Sequence, residues 1–193
     1  IHFTTGQRKR YWHKNCVAIG LASGFIEPLE STSIHFIQNG IMWLLLMFPD
    51  SVMSQASVDE YNSKLRGEAE RIRDFIVLHY FANQRIGEPF WDMCRDLPIP
   101  DSLNHRLALF KDAGRVFKPQ DDVFSENSWV QVMMGQGIMP ERYHNVVDSM
   151  TPEQLRQFLM DIEQDVNRTV AALPNHGKFV EALVERASKT AIS

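Results

Sequence analysis

Residues 15–34 read NCVAIGLASGFIEPLESTSI, and this stretch decides how the rest of the chain is organised. It opens with a strand-like run that ends at Gly20, and a loop with a second glycine and Pro28 follows. Three residues that favour helix N-caps, Ser31, Thr32 and Ser33, then lead into an apolar run that extends to position 48. The order predicted here is strand, shaped loop and helix start.

The residues before this stretch predict a β hairpin. Its arms are expected at 2–5 and 12–19, because β-branched and aromatic residues lie on both sides of Gly6 and a basic cluster. The fold class predicted is α+β and mainly helical, with a short hairpin that feeds a helical body. We place a domain boundary between residues 1–33 and 34–193.

Helical periodicity dominates the rest of the chain. Helices are predicted over 34–48, over 57–80, after Pro89, after the breaker-rich segment 97–102, over 128–134, from Thr151 to 173, and over 178–186. Ser57 with Glu60 is expected to form a capping box at the start of the second helix. Thr151 is expected to do the same with Gln154, with a proline in the first turn.

Composition excludes several kinds of protein. The 193 residues include 20 Lys and Arg against 24 Asp and Glu, a net charge of −4, so no basic surface is expected to hold nucleic acid. The two cysteines, Cys16 and Cys94, form neither a disulfide framework nor a metal motif, which favours a reducing, cytoplasmic setting. The seven histidines are scattered, so no metal site is predicted.

The most apolar segment and the start of the sequence lead to two further predictions. The run 34–48 is shorter than the roughly 20 apolar residues that cross a bilayer, so no membrane association is predicted. The sequence begins at Ile1 without an initiator methionine or the features of a signal peptide. We therefore expect the chain to be part of a longer polypeptide.

The start of the 34–48 helix is the best candidate for chemistry. Backbone amides at Thr32 and Ser33 would favour an anion there, and the carboxylates of Glu27 and Glu30 lie close in sequence. A carboxylate beside an anion site suits acid–base chemistry. The alternative is that Glu30 only stabilises the helix dipole. A glycosidase site and a nucleotide loop are disfavoured, since neither GxGxxG nor GxxxxGK[ST] occurs.

Two aromatic residues are candidates for substrate contact. Phe124 and Trp129 lie near an acidic turn and are predicted to form an aromatic wall for a flat substrate. Core packing is the alternative. His79, on the apolar face of its helix, is interpreted as a hydrogen-bonded core histidine.

The segment 15–34 resembles the hallmark segment of the flavin-dependent tryptophan halogenases, in particular at EPLEST. Further matching segments follow in the family's order: RIRDFIVLHY at 71–80, PFWDMC at 89–94, SWVQVMMGQGIMPERYH at 128–144 and LPNHGKF at 173–179. The resemblance implies an enzyme that chlorinates or brominates an electron-rich aromatic compound. It uses oxygen, a halide and reduced FAD from a separate flavin reductase, and the oxidised halogen travels through a tunnel to the substrate pocket.

The resemblance also implies site residues. Glu30 matches the family's catalytic glutamate and Ser31 its neighbouring serine. Thr32 and Ser33 would hold chloride or bromide, and Leu21 and Ile34 would contact FAD. The family commonly has glycine where Ser33 stands, so halide selectivity is expected to differ.

The resemblance places this chain in the C-terminal portion of such an enzyme, with residues 1–33 as the end of its FAD-binding domain and residues 34–193 as a helical substrate-side domain. The family's GxGxxG, its catalytic lysine and its WxWxIP motif belong to an N-terminal portion and do not occur here. We therefore expect the chain alone to be inactive. The substrate is left open among tryptophan, indole, phenol, pyrrole and a carrier-bound aromatic. Two other functions also stay open: a flavin-dependent aromatic monooxygenase that does not use halide, and a non-catalytic helical scaffold.

Overall fold

A computed structural model describes residues 5–119 and 122–190. The described residues form two compact units, divided after Tyr143. Residues on both sides of the predicted boundary at 33/34 lie within the first unit, and the assignment of residues 1–33 to a FAD-binding domain stays a prediction.

Four short strands open the first unit. Strands β1 (Gly6–Gln7) and β4 (Gly24–Phe25) pair antiparallel, as do β2 (Trp12–His13) and β3 (Cys16–Val17). This hairpin joins 12–13 to 16–17, so the chain turns within the predicted arm 12–19. Residues 2–4 of the other predicted arm lie outside the described residues. Lys14 has a φ of 53°, and this left-handed residue lets the chain reverse within two residues. After β3 the chain forms a single 3-10 turn, Gly20–Ala22.

Five helices follow in the described part of this unit: α1 (Ser33–Leu46), α2 (Gln55–Phe81), α3 (Pro89–Asp96), α4 (Asp101–Ala113) and α5 (Glu126–Gly135). They confirm the helices predicted in these regions. The capping box at Ser57 is wrong, because α2 begins two residues earlier and its N-cap residue is Ser54. Ser57 therefore lies inside the first turn.

Helix α2 organises the core, because its buried side chains belong to two hydrophobic clusters. Near its end, Phe75 and Leu78 pack with residues of α4 and α5. Near its start, Tyr61 and Leu65 pack with the hairpin residue Trp12. The loop before α1 therefore lies beside a long helix that is fixed at both ends.

The second unit consists of a short 3-10 helix, Asn145–Ser149, followed by α6 (Pro152–Ala172) and α7 (His176–Thr190). The capping box at Thr151 is confirmed, with Thr151 Oγ1 accepting from Gln154 N at 3.2 Å and Gln154 Oε1 accepting from Thr151 N at 2.8 Å. No helix among the described residues is both long enough and apolar enough to span a membrane.

Candidate active site

The loop before α1 turns sharply at Ser31. Ser31 has a φ of 53°, which is uncommon for a residue with a side chain, and its N–H donates to Pro28 O at 2.9 Å. The next residue, Thr32, is the buried N-cap of α1 and its carbonyl accepts from Phe36 N at 2.9 Å. The turn thus directs the chain from Glu30 abruptly into the helix.

The start of α1 has the features of an anion site. The amides of the first turn, beginning with Ser33, have no acceptor within the helix, and the Thr32 side chain makes no capping hydrogen bond. No acidic residue lies in this first turn. The aligned peptide dipoles therefore favour an anion here.

A cavity of about 280 Å³ opens at this helix start. Among the predicted site residues, Leu21, Thr32 and Ser33 line it, and its other walls are largely apolar, including Phe36 and Ile37. Ile34 is 69% exposed and does not line the cavity. The structure thus brings the predicted halide residues and one of the two predicted flavin contacts to one surface.

Glu30 does not line this cavity. Its Oε1 lies 3.1 Å from Nε2 of His79, in the last turn of α2, and both side chains are partly buried. The other ring nitrogen, Nδ1, lies 2.8 Å from Phe75 O. The interpretation of His79 as a hydrogen-bonded histidine on the apolar face therefore holds, but its contact with Glu30 was not foreseen. The two residues are 49 positions apart, and no local pattern reveals that pairing.

The neighbouring residue Tyr80 faces the loop's other carboxylate. Burial raises the pKa of the Tyr80 phenol, and the Glu27 carboxylate, which hydrogen-bonds to it, raises it further. The Tyr80 ring stacks on Trp91 with a centroid distance of 5.7 Å. Consecutive residues of α2 therefore contact both carboxylates that flank Pro28.

Phe124 and Trp129 lie in the core cluster around Phe75. The rings of Phe124 and Phe75 stack with a centroid distance of 3.9 Å, and Trp129 meets Phe75 edge-on at 4.7 Å. The Arg106 guanidinium lies over the Trp129 ring at 4.0 Å. Neither aromatic residue lines the cavity at α1, and a substrate contact by them stays a prediction.

Within the part of the chain that the structure describes, no group of three His, Cys, Asp or Glu residues could hold a metal ion.

Comparison with known proteins identifies the family. The tryptophan halogenase family model matches residues 1–152. The chain belongs to the tryptophan halogenase family. This family assignment agrees with the resemblance seen at 15–34 and at the later segments.

Solved structures of halogenases match the fold. Xcc4156, a flavin-dependent halogenase from Xanthomonas campestris, is 50% identical with a TM-score of 0.90, and the match covers 94% of this chain and 37% of that one. BrvH, a flavin-dependent halogenase from Brevundimonas sp. BAL3, is 41% identical with a TM-score of 0.86, covering 93% of this chain and 36% of that one.

A curated member of the tryptophan halogenase family matches in sequence. Tryptophan 6-halogenase ThaL from Streptomyces albogriseolus is 31% identical over 154 residues, which are 72% of this chain and 29% of that protein. The chain thus spans about a third of the length of these relatives.

Proposed function

We propose that this chain is the C-terminal, substrate-side portion of a FAD-dependent halogenase that chlorinates or brominates an electron-rich aromatic compound. One observation carries the proposal: the α1 helix start, with Thr32 and Ser33, opens on the cavity, whereas Glu30 lies outside that cavity against His79. The turn at Ser31 separates an anion site from a carboxylate by one residue. The halide would thus be held on the cavity side of this segment, and the carboxylate would face the substrate on the other side.

The residues around the cavity fit a flavin ring and a halide. Leu21, Phe36 and Ile37 offer apolar surface to a flat heteroaromatic ring, and the amides at Thr32 and Ser33 offer donors to an anion beside it. Reduced FAD, when bound, supplies with oxygen the oxidising power that turns halide into an electrophilic halogen. Leu21 would contact FAD through this cavity, and Ile34, exposed on the first turn of α1, would contact it from outside.

Glu30 would act on the substrate side. When the aromatic carbon gains its bond to halogen, it must lose the proton it carries, and a carboxylate within reach accepts that proton. With hypohalous acid as the oxidant, the products are the aryl halide and water. The strained turn at Ser31 would hold Glu30 in place while the next two residues hold the halide.

The family membership supports the proposed substrate class and partners. The curated relative ThaL is named a tryptophan 6-halogenase, so an indole is the first compound to test, with phenol, pyrrole and carrier-bound aromatics as alternatives. A flavin reductase would supply the reduced FAD, and a FAD-binding portion with the catalytic lysine would complete the enzyme in the cytoplasm.

The test replaces Glu30 in the full-length enzyme, assayed with indole, reduced FAD, oxygen and bromide. Glu30→Gln keeps the side-chain volume and removes the proton acceptor, so we expect brominated product to fall roughly 100- to 1000-fold. Glu60→Gln, an exposed carboxylate on α2, is the matched control and keeps full activity. Unchanged bromination in Glu30→Gln contradicts the proposal. A hydroxylated product that does not depend on bromide identifies a monooxygenase instead.

A further inference from the structure

We propose that His79 is a positioning residue for Glu30. The inference rests on the proposed function, because it assigns His79 a role in the chemistry of the carboxylate. It starts from two contacts of one ring: Nδ1 to Phe75 O at 2.8 Å and Nε2 to Glu30 Oε1 at 3.1 Å.

The hydrogen-bonding roles of the ring are fixed by its partners. A backbone carbonyl only accepts, so the proton in the first contact lies on Nδ1. Nε2 and the carboxylate then share a single proton: either the ring carries it and donates to Oε1, or the carboxyl group carries it and donates to Nε2. In both cases His79 fixes Oε1 of Glu30.

The position of the ring is itself fixed. His79 lies one turn after Phe75 on α2, and the two rings meet edge-on at a centroid distance of 4.9 Å. Phe75 is 2% exposed and packs against Phe124 and Trp129. Two contacts therefore fix the His79 ring: its edge-on packing with the buried Phe75 ring and its hydrogen bond to the Phe75 carbonyl.

This arrangement gives the two carboxylate oxygens different tasks. Oε1 is held by His79, which leaves Oε2 as the oxygen that would face the substrate. A carboxylate with one oxygen fixed cannot rotate freely, so the second oxygen keeps a constant direction. A misplacement of about 1 Å in a reacting group costs on the order of 100-fold in rate, which is what this contact would prevent.

Other charged groups lie on the same loop as Glu30 and on the same helix as His79. Glu27 lies beside Tyr80, the residue that follows His79. On α2, Arg73 and Asp74 are paired with each other, with the Arg73 Nη2 to Asp74 Oδ1 distance at 2.7 Å. The Glu30 carboxylate is thus paired directly with the basic side chain of His79.

The decisive variants are His79→Phe and His79→Gln in the full-length enzyme. His79→Phe keeps a flat ring against Phe75 and removes both nitrogens, and we expect kcat to fall roughly 10- to 100-fold while KM for bromide stays unchanged. His79→Gln restores an N–H donor and is expected to recover part of kcat. His105→Phe, at an exposed site on α4, is the matched control.

A second readout does not depend on activity. In the 193-residue chain with 15N-labelled histidine, the His79 Nδ1 proton should give a protected resonance in the wild type, and the Nε2 signal should shift in Glu30→Gln. An Nε2 signal that does not respond to Glu30→Gln overturns the proposed contact.

The outcomes separate the two proposals. If Glu30→Gln keeps its bromination activity, the proposed function fails. If Glu30→Gln is inactive but His79→Phe has the wild-type kcat, the function stands and the positioning role is overturned. A His79→Phe variant that loses kcat only in proportion to lost folded protein, measured by thermal unfolding, also overturns it, because the role would then be purely structural.

Discussion

At the scale of single residues, Ser31 has a strained backbone conformation in the loop before α1. Its φ of 53° lies in the left-handed region, where a side chain is disfavoured and a β-branched one most of all. Strain of this kind persists only where the surrounding structure fixes both ends of the turn. Here Glu30 is held by His79 on one side, and Thr32 is buried as the N-cap of α1 on the other.

The strain at Ser31 predicts effects of different size for two substitutions. Ser31→Val should lower the free energy of unfolding by roughly 1–3 kcal/mol, because a β-branched side chain crowds the backbone at positive φ. Ser31→Gly should change it far less, since glycine adopts this conformation without a clash. Urea denaturation of the 193-residue chain measures both. Equal midpoints for the Val and Gly variants would show that the turn is not strained.

At the scale of elements, Asn62 joins the hairpin to α2. Its Oδ1 accepts from Tyr11 N at 2.6 Å and Trp12 N at 3.0 Å, and its Nδ2 donates to Trp12 O at 2.9 Å. The side chain is 8% exposed, so these backbone groups of the hairpin have no access to bulk water as a substitute. One buried amide therefore fixes the hairpin on the helix that also carries His79.

Removing the Asn62 side-chain amide should lower the free energy of unfolding substantially. Asn62→Leu leaves buried backbone groups unpaired, and each costs about 1–3 kcal/mol, so we expect a loss of at least roughly 2 kcal/mol in the free energy of unfolding. Asn127→Leu, on an exposed position of α5, is the matched control and should stay close to the wild type. Denaturant unfolding followed by circular dichroism makes the comparison. A similar small effect in both variants would mean that Asn62 does not anchor the hairpin.

Some helix starts could be predicted from short windows of sequence, and others could not. The helix start at Thr151 was predictable because its N-cap, proline and Gln154 act within four residues. The start of α2 was not, because Ser51, Ser54 and Ser57 all suit an N-cap and only the structure selects Ser54. The β1–β4 pairing joins Gly6 to Phe25 across 19 positions, and no short window of sequence contains that register.

At the scale of the whole molecule, two buried tyrosines connect stability to pH. Burial raises the pKa of Tyr11 and that of Tyr61 to about 12 from the ordinary value of 10.0. Tyr61 donates to Gly40 O at 3.2 Å and Tyr11 donates to the side chain of Gln7, so both phenols are held in their neutral form. The folded chain thus keeps two protons that the unfolded chain gives up.

The resulting pH dependence has a definite sign. Below pH 10 both states keep the phenolic protons and stability is unaffected. Between about pH 10 and 12 the unfolded chain releases them and the folded chain does not, so the free energy of unfolding should fall, by roughly 1–3 kcal/mol per tyrosine. Tyr61→Phe should make this fall shallower, whereas Tyr143→Phe, 66% exposed, should not. If the free energy of unfolding fell equally steeply with pH in the wild type and in both variants, Tyr61 would not cause this pH dependence.

The site as a whole was only partly predictable. The helix start at Thr32 and Ser33 follows from the order of loop, N-cap residues and helix, which is local in sequence, and the anion site proposed there rests on it. The cavity wall combines residues of the hairpin region, α1 and α2, and the partner of Glu30 lies on α2, 49 positions later in the sequence. These features depend on how α2 packs, and so they appear only once the fold is known.

The most direct test of the account locates the halide. Crystals of the flavin-loaded enzyme soaked in bromide and measured at the bromine absorption edge should show an anomalous peak within hydrogen-bond distance of the Thr32 and Ser33 amides, with Glu30 still against His79. A bromide bound at Glu30, or no peak at the start of α1 while the enzyme brominates its substrate in solution, would contradict it.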